Sequence, residues 1–164
     1  MKNILRRAFI LLIVLANASC DQLSKNVARK HLDYYETVDV IGKHLILTKI
    51  ENSGAFLSTG DKLSGTIKFT FLTLLPLIVL LYGIYFLLTN IKLPGLLVVG
   101  ICFVIGGGLG NLYDRLLYGS VTDFLHIDFY ILKTGIFNLA DVSIMTGMIM
   151  ILINLYIRKI HIAV

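Results

Sequence analysis

Tryptophan is absent from this chain of 164 residues, cysteine and proline occur only twice each, and only 15% of the residues are charged. Two cysteines exclude a disulfide-rich scaffold, and two prolines without any low-complexity tract exclude collagen-like and disordered chains. Soluble domains have about 25% charged residues. Here, in contrast, 57% of the residues are hydrophobic. The interior of a soluble domain of this size could not hold so many apolar side chains, so the sequence predicts a membrane protein.

Long apolar stretches occupy most of the chain. A helix needs about 20 apolar residues to cross about 30 Å of hydrocarbon. No charged residue occurs between Lys68 and Lys92 or between Lys92 and Asp114, and two further apolar stretches lie near the ends of the chain. The sequence therefore predicts an all-α membrane protein with one domain over residues 1–164 and spans at about 4–22, 69–90, 93–113 and 137–157.

The first span has some features of a cleaved leader. Basic residues precede its apolar run, and small residues follow up to Cys20, as in secretory signals. A lipoprotein leader usually has an aliphatic residue three positions before its cysteine, where this chain has Asn17. We therefore expect a retained helix.

Positive charge is concentrated at one set of span ends. Three short segments contain Lys and Arg without any acid: Lys2, Arg6, Arg7, Lys92, Arg158 and Lys159. Because cytoplasmic span ends carry an excess of Lys and Arg, both termini are expected in the cytoplasm, with outer segments at about 23–68 and 114–136. The remaining nine basic residues are balanced by all ten acids in or beside these outer segments. This distribution does not suggest a nucleic-acid partner.

Two local patterns predict further structure. β-branched and aliphatic residues at 37–41 and 44–50 flank Gly42 and predict a small β-hairpin on the outer face, and the polar cluster at 58–61 predicts a turn. Gly106 and Gly110 have the spacing that lets two membrane helices approach closely. The glycine run around them lacks the Lys-Ser/Thr that a phosphate-binding loop requires.

Several ionisable residues are expected at one depth in the bilayer. Asp141 lies 17 residues before Arg158, about 25 Å along a helix, and Asp21 lies 14 residues after Arg7, about 21 Å. Both distances end just inside the outer edge of a hydrocarbon core about 30 Å thick. Ionisable groups at such a depth are rare unless they have a partner or a function.

Polar side chains near this level share helix faces, which allows a purely structural interpretation. Asn111 is three residues from Asp114 and four from Arg115, and Asn138 is three from Asp141. Such groups can stabilise a helix bundle by hydrogen bonds between helices.

Carboxyl groups are, however, more numerous than packing requires. Asp123, Asp128 and Asp141 lie in or beside the second outer segment, and Asp114 ends the preceding span. Two neighbouring carboxyls cannot both ionise freely, and an aspartic protease uses such a pair as one acid and one base around a shared water. Spacing alone leaves these acids as equal candidates.

Other chemistries have weaker support in the sequence. None of the four histidines lies in a charge-free span, and no His-Glu-x-x-His motif of a metalloprotease is present. His126 and Asp128 could share a metal ion, but such a pair is more often solvated. Ser24 beside Lys25 and Ser64 near Lys68 are only a faint sign of a Ser-Lys hydrolase.

Four strings of residues carry a family resemblance. They are DQLSK at 21–25, ENSGAF at 51–56, GNLYDRLLYGSVTDF at 110–124 and FNLADVSIMTG at 137–147. In this order, with four spans, they resemble the lipoprotein signal peptidase (signal peptidase II) family of bacterial membrane aspartic proteases. The resemblance covers essentially the whole chain.

The resemblance implies that Asp123 and Asp141 are the catalytic pair. The residues that match the family's substrate-site or supporting positions are Asn52, Gly54, Asn111, Arg115, Asn138 and Ala140, together with Asp21 and Lys25. One departure is visible, because many members have two alanines where this chain has only Ala55. The shape of that loop is therefore less well defined by the resemblance than the catalytic pair.

The resemblance also implies an activity. The chain would cut diacylglyceryl-modified prolipoproteins on the N-terminal side of the lipidated cysteine, by water activated between two aspartates, without a metal or cofactor. It would act as a monomer in contact with phospholipid, at the outer face of the bacterial cytoplasmic membrane. The alternative is a non-catalytic transporter or scaffold with four membrane helices, in which the polar residues only close the bundle.

Overall fold

The computed structural model describes residues 2–55 and 63–163, in which four long helices are joined to a small sheet. The helices are α1 (Lys2–His31), α2 (Gly65–Thr89), α3 (Gly95–Tyr118) and α4 (Leu139–Ala163). The strands are β1 (Val38–Ile41), β2 (Leu45–Asn52), β3 (Val121–Phe129) and β4 (Leu132–Lys133). The turn expected at 58–61 lies outside the described residues.

All four helices are long and apolar enough to cross a membrane, and the chain is a multi-pass membrane protein. The predicted fold class, four membrane helices with a small β element, is confirmed. α1 has 30 residues and is about 45 Å long, so it continues well past the end of the first predicted span at residue 22. Its last turn contains Arg29, Lys30 and His31, which interact favourably with the negative end of the helix dipole.

Proline and glycine shape two of the helices. In α2 a π-helical segment at Phe69–Leu74 ends two residues before Pro76, whose missing N–H interrupts the regular hydrogen-bond pattern. Gly119, the residue that follows α3, has a φ of 74° and donates its N–H to the carbonyl of Arg115. Glycine adopts this left-handed conformation without strain, so the chain can leave α3 and turn directly into β3.

The basic segments identified in the sequence meet at one end of the bundle. Arg6 donates hydrogen bonds to the carbonyls of Leu87 (2.8 Å) and Asn90 (3.0 Å), so the start of α1 lies beside the connection that contains Lys92. α4 runs antiparallel to α3, because Gly107 packs on Ala140 near the start of α4 and Gly100 packs on Gly147 further along it. The later residues of α4 therefore lead towards the same basic end.

The sheet lies at the opposite end and has the antiparallel order β1-β2-β3-β4. The hairpin predicted from residues 37–41 and 44–50 is present as β1 and β2. β3 pairs with β2 so that Ile50 lies opposite Asp123 and Asn52 opposite Val121. Phe124 packs with Ala28 of α1 and with Leu32 just after that helix, and this contact fixes the sheet on the end of α1.

Glycines bring the helices into close contact beneath the sheet. A Cβ atom at Gly106 would collide with α1, at Asn17 and Val14, and one at Gly107 would collide with the carbonyl oxygen of Ala140 in α4. Gly110 faces the carboxylate of Asp21. The close helix approach predicted from Gly106 and Gly110 is therefore present, and it holds the helices that carry the polar residues within hydrogen-bond reach of one another.

Gly107→Ala should reduce stability by about 1–3 kcal/mol, because its Cβ would meet the backbone of α4 and force the helices apart. Gly95→Ala is the matched control, since a Cβ at that position of α3 would meet nothing within 4 Å. Thermal unfolding in detergent micelles measures both. Equal unfolding temperatures for the two variants would contradict this account of the packing.

Candidate active site

Asp123 is a buried carboxyl in β3, with only 2% of its surface exposed. Both of its oxygens accept hydrogen bonds from amide groups. The side chain of Asn138 donates to Oδ1 (2.6 Å) and the side chain of Asn52 donates to Oδ2 (3.0 Å). The carboxyl plane is therefore held by one residue from the next strand and one from the start of α4.

Hydrogen bonds at the start of α4 hold Asp141 in place. Asn138 precedes the first residue of α4 and is the N-cap, and Asp141 is the third residue of the helix. The N–H of Asp141 donates to Oδ1 of Asn138 (3.0 Å), and the N–H of Asn138 donates to Oδ2 of Asp141 (3.2 Å). These reciprocal bonds form a capping box, which satisfies backbone donors that a helix start leaves free.

The two carboxyls face one cavity. It has a volume of about 90 Å³, enough for water molecules, and opens to the surface. It is lined by Asn52, Ala55, Asn111, Arg115, Val121, Asp123, Ile136, Asn138 and Asp141. A second cavity of about 280 Å³ shares Asn52, Asp123 and Ile136 with it. The site thus consists of a small polar cavity and a larger neighbouring cavity beside the sheet.

Asn138 links the two carboxyls directly. Its side-chain nitrogen donates to Asp123, and its backbone N–H donates to Asp141. The residue is fully buried. Because a single residue contacts both groups, the start of α4 and β3 cannot move apart without breaking the contacts that orient both aspartates.

A short loop after β2 forms another wall of the site. The N–H of Gly54 donates to Oδ1 of Asn52 (3.0 Å), and the Asn52 side chain also donates to the carbonyl of Ala55 (3.0 Å). The guanidinium of Arg115, near the end of α3, donates to the carbonyl of Gly54 (3.0 Å). Asn52 therefore shapes the loop and holds Asp123 at the same time.

Beneath Asp141 lies a buried ionic cluster centred on Lys25. The ammonium group contacts Asp21 (2.8 Å), Asp114 (2.9 Å) and Oδ1 of Asn111 (2.9 Å), and all three charged side chains have no exposed surface. Since an ammonium group can only donate, Asn111 must present its oxygen to Lys25 and its nitrogen to the other side. That nitrogen donates to Asp141 (2.9 Å).

Asp21 connects this ionic cluster to the start of α4. Its Oδ1 accepts a hydrogen bond from the N–H of Ala140 (2.9 Å), another of the free donors at the helix start. Ala140 is itself fully buried. All eight supporting positions named from the sequence thus lie in the site or in the ionic cluster directly beneath it.

The structure separates the acids that spacing left as equal candidates. Asp114 belongs to the ionic cluster, where it also pairs with Arg29 (2.9 Å). Asp128 lies near the far end of β3 and pairs with the exposed Lys133 (2.8 Å). Neither lines the small polar cavity, which contains only Asp123 and Asp141 as carboxyls among its described lining residues.

Two members of this network were not identified from the sequence. Arg29 donates to Thr122 of β3 (2.9 Å), and Gln22 donates to Asp114 (3.0 Å) and to the carbonyl of Gly110 (3.0 Å). Arg29 could have been found, because it follows Asp21 and Lys25 at intervals of four residues and so lies on the same face of α1.

Burial changes the acidity of Asp123. Loss of solvent raises the pKa of this carboxyl to about 6, and the nearby charge of Asp141 acts in the same direction. The hydrogen bonds from Asn52 and Asn138 oppose this rise. A carboxyl with such a pKa can hold or release a proton near neutral pH, as a general acid or base must.

Metal ligands are not clustered in the described part of the chain. Among those residues no group of three or more His, Cys, Asp or Glu side chains is arranged to hold a metal ion. His126 and Asp128, which the sequence suggested as a pair, do not belong to such a group in the described part of the chain.

The buried carboxyl of Asp123 and the partly exposed carboxyl of Asp141 share a water-sized cavity in a membrane protein with four helices, an arrangement typical of a membrane aspartic peptidase. Comparison with known proteins identifies the family. A family model described as signal peptidase (SPase) II matches residues 11–157, and the chain belongs to this family.

Relatives named lipoprotein signal peptidase support this assignment. The protein from Acinetobacter baumannii is 35% identical over 83% of this chain and 76% of its own length. The one from Streptococcus agalactiae is 32% identical over 93% and 94%, and the one from Staphylococcus carnosus is 34% identical over 88% of each. None of these similarities supports the alternative of a non-catalytic transporter or scaffold.

Solved structures agree with the fold. A bacterial membrane enzyme determined by the in meso method at 2.3 Å resolution has a TM-score of 0.82 at 30% identity, covering 93% of this chain and 90% of its own. A second, at 1.9 Å resolution, has a TM-score of 0.79 at 29% identity, covering 90% and 92%.

Lys25→Met should lower stability by roughly 3–5 kcal/mol, because it leaves the carboxylates of Asp21 and Asp114 buried without their central cation. Lys133→Met is the matched control, since it breaks an ion pair whose lysine is 59% exposed, and it should change stability little. Thermal unfolding in micelles reports both changes. A Lys25→Met protein as stable as the wild type would rule out this role.

Proposed function

We propose that the chain is an aspartic endopeptidase that removes the signal peptide from diacylglyceryl-modified prolipoproteins, cutting on the N-terminal side of the lipidated cysteine. The observation that carries the proposal is the pair Asp123 and Asp141, which face one water-sized cavity and are oriented by a shared residue, Asn138. Membership of the signal peptidase II family supports the substrate class.

The proposed mechanism needs only water and the two carboxyls. One ionised carboxylate takes a proton from a water molecule in the cavity, and the water oxygen bonds to the scissile carbonyl carbon. The other carboxyl, which is protonated, donates a hydrogen bond to the carbonyl oxygen. As the C–N bond breaks, this second carboxyl gives its proton to the amine nitrogen of the cysteine, while the first carboxyl keeps the proton that it took from water. The products are the signal peptide carboxylate and a new N-terminus.

The shared proton belongs to the pair rather than to either residue. Two carboxyls that interact through a common cavity lose their protons in two coupled steps. The raised pKa of Asp123, about 6, favours a pair that still carries one proton in mildly acidic solution. In the proposed cycle the proton changes sides with each turnover, so that acid and base exchange roles.

Neighbouring residues would hold the peptide and the loop. Asn52 and Arg115 line the cavity and fix the segment around Gly54, which we assign to substrate positioning. Asn111 and Asn138 orient the carboxyls. Asp21 and Lys25 act through Asn111 and Ala140 and are positioning residues.

We expect the cleavage reaction to take place at the surface of the membrane. The basic end of the bundle would face the cytoplasm and the site would lie at the outer face of the cytoplasmic membrane. A substrate anchored by diacylglyceryl would bring its cysteine to that level. Because one chain supplies both carboxyls, a monomer is sufficient for the proposed reaction.

Asp123→Asn and Asp141→Asn should each reduce cleavage of a lipidated prolipoprotein at least about 100-fold, because an amide can replace neither the acid nor the base. Asp128→Asn is the matched control, since this carboxyl belongs to the same segment but pairs with Lys133 outside the small polar cavity. Purified proteins are compared by single-turnover cleavage after equal unfolding temperatures have been verified.

Full activity in either Asp123→Asn or Asp141→Asn would end the assignment of the catalytic pair. The unlipidated precursor provides the substrate control, and we expect it to be cut far more slowly by the wild type. A wild-type protein that cuts no lipidated precursor would instead overturn the proposed activity itself.

Cleavage should depend on pH with an optimum. The value of kcat/KM should fall as pH rises past about 6, the raised pKa of Asp123, because the pair then loses its shared proton and has no acid left. It should also fall at acidic pH, where both carboxyls are protonated and no base remains. Asp128→Asn should give the same profile. A flat profile across this range would contradict a mechanism with one shared proton.

A further inference from the structure

A histidine of β3 lies at the larger of the two cavities of the site. His126 and Asp123 both line this cavity of about 280 Å³, whose other walls are Ile50 and Asn52 of β2 and residues 134–136. The Nδ1 atom of His126 is buried and has no hydrogen-bond partner among the described residues. The mechanism proposed above does not use this side chain. A polar ring beside the catalytic pair therefore has space next to it and no assigned role.

An irregularity in β3 brings Asp123 and His126 to the same face of the sheet. In a regular strand, residues three apart point to opposite faces. Here the N–H groups of Phe124 and Leu125 both donate to the carbonyl of Phe137 (3.0 and 2.8 Å), as in a β-bulge. Both of these side chains pack in the apolar cluster at the end of α1. The alternation therefore shifts by one residue, and Asp123 and His126 share the opposite face.

The burial of Nδ1 determines which ring nitrogen of His126 can bind a ligand. A neutral imidazole has one N–H donor and one acceptor nitrogen. Because a buried N–H without an acceptor is rarer in proteins than an unfilled lone pair, the proton is assigned to Nε2. Unlike Nδ1, Nε2 is not a buried atom without a partner, and the ring reaches the cavity. His126 thus offers a neutral N–H donor to a molecule in the cavity.

The position of the cavity indicates which part of the proposed substrate it holds. None of its described lining residues belongs to a helix, whereas the small polar cavity is lined by Asn111 and Arg115 of α3 and Asp141 of α4. The apolar signal peptide and the diacylglyceryl group both approach the carboxyls from the membrane. The chain that follows the lipidated cysteine leads away from the membrane. A cavity on the sheet side of the site therefore fits the residues after the cysteine.

Distance selects the residue that would reach His126. Three positions of β3 separate it from Asp123, which corresponds to about 10 Å along the strand. An extended peptide advances about 3.5 Å per residue. The cysteine is the first residue after the scissile bond, so the next residue starts about 7 Å from the catalytic pair. Its side chain can cover the remaining distance to the imidazole.

Charge and polarity limit the side chain that suits this cavity. Since Nε2 of His126 donates, the ligand must supply an acceptor oxygen. An ionised Asp or Glu in the substrate would place a negative charge beside the buried carboxyl of Asp123, and like charges at such a distance repel. A neutral side chain with an oxygen atom, such as that of Asn or Ser, satisfies the donor without this repulsion.

We propose that the cavity beside the sheet is the subsite for the residue that follows the lipidated cysteine, and that Nε2 of His126 donates a hydrogen bond to a neutral oxygen of that side chain. This inference rests on the proposed peptidase activity and extends it to substrate preference. His126 takes no part in proton transfer. It determines how well the mature part of the precursor is held next to Asp123 and Asp141.

The test uses two lipidated precursors that differ only in the residue after the cysteine, which is Asn or Leu. The two side chains have similar shapes, but only Asn has an acceptor oxygen. Both precursors are given to the wild type, to His126→Gln, which keeps an N–H donor near the position of Nε2, and to His126→Met, which has a similar length without a donor. His31→Gln is the control, since His31 is exposed at the end of α1. Equal unfolding temperatures are verified first.

His126→Met should lower kcat/KM for the Asn precursor about 3- to 10-fold, the value of one neutral hydrogen bond. The change should appear mainly in KM, because the bond is present in both the ground state and the transition state. Cleavage of the Leu precursor should stay within about twofold. His126→Gln and His31→Gln should keep the wild-type preference. His126→Phe replaces His126→Met if the latter does not fold.

Two results would overturn the subsite alone. One is a donor-free variant that cuts the Asn precursor as well as the wild type does, and the other is an equal loss with both precursors. A wild-type protein that cuts neither precursor would instead overturn the proposed function, and the subsite with it.

Discussion

The buried ammonium group of Lys25 connects the elements on which the site depends. It joins Asp21 on α1 to Asp114 and Asn111 on α3. Because all its protons must be donated, the amide of Asn111 has only one satisfactory orientation, with its nitrogen towards Asp141. The buried ionic cluster around Lys25 thus determines the orientation of the Asn111 amide. Asn111 in turn positions the carboxyl of Asp141, which lines the cavity.

The start of α4 unites folding and proposed catalysis in the same residues. A helix start leaves backbone donors without partners, and here Asn138, Asp141 and Asp21 accept three of them. The same three side chains hold Asp123, face the cavity, or bind Lys25. The hydrogen bonds that stabilise the start of α4 therefore also fix the side chains of the site. No further contacts are needed to preorganise those side chains.

The sequence predicted the membrane helices best, because a bilayer restricts the backbone structures that can cross it. Backbone groups in a bilayer must bond within helices, so long apolar stretches predicted four spans and the fold class. The sequence predicted that the first span ends near residue 22. In the structure α1 continues to His31, because Ala28 and the following Leu32 pack on the sheet. Asp114 and Asp128 could not be separated from Asp123 by spacing, since their partners, Lys25 and Lys133, are set by tertiary contacts.

The site is built from two kinds of structure because the proposed reaction needs two environments. The helices supply Asp141 from the lipid-embedded bundle, and the sheet supplies Asp123 from outside it. Asn138 and Arg29 fasten β3 to the bundle near the site, and the packing of Phe124 on Ala28 holds the same strand against α1, so the two carboxyls keep a fixed spacing across the two kinds of structure.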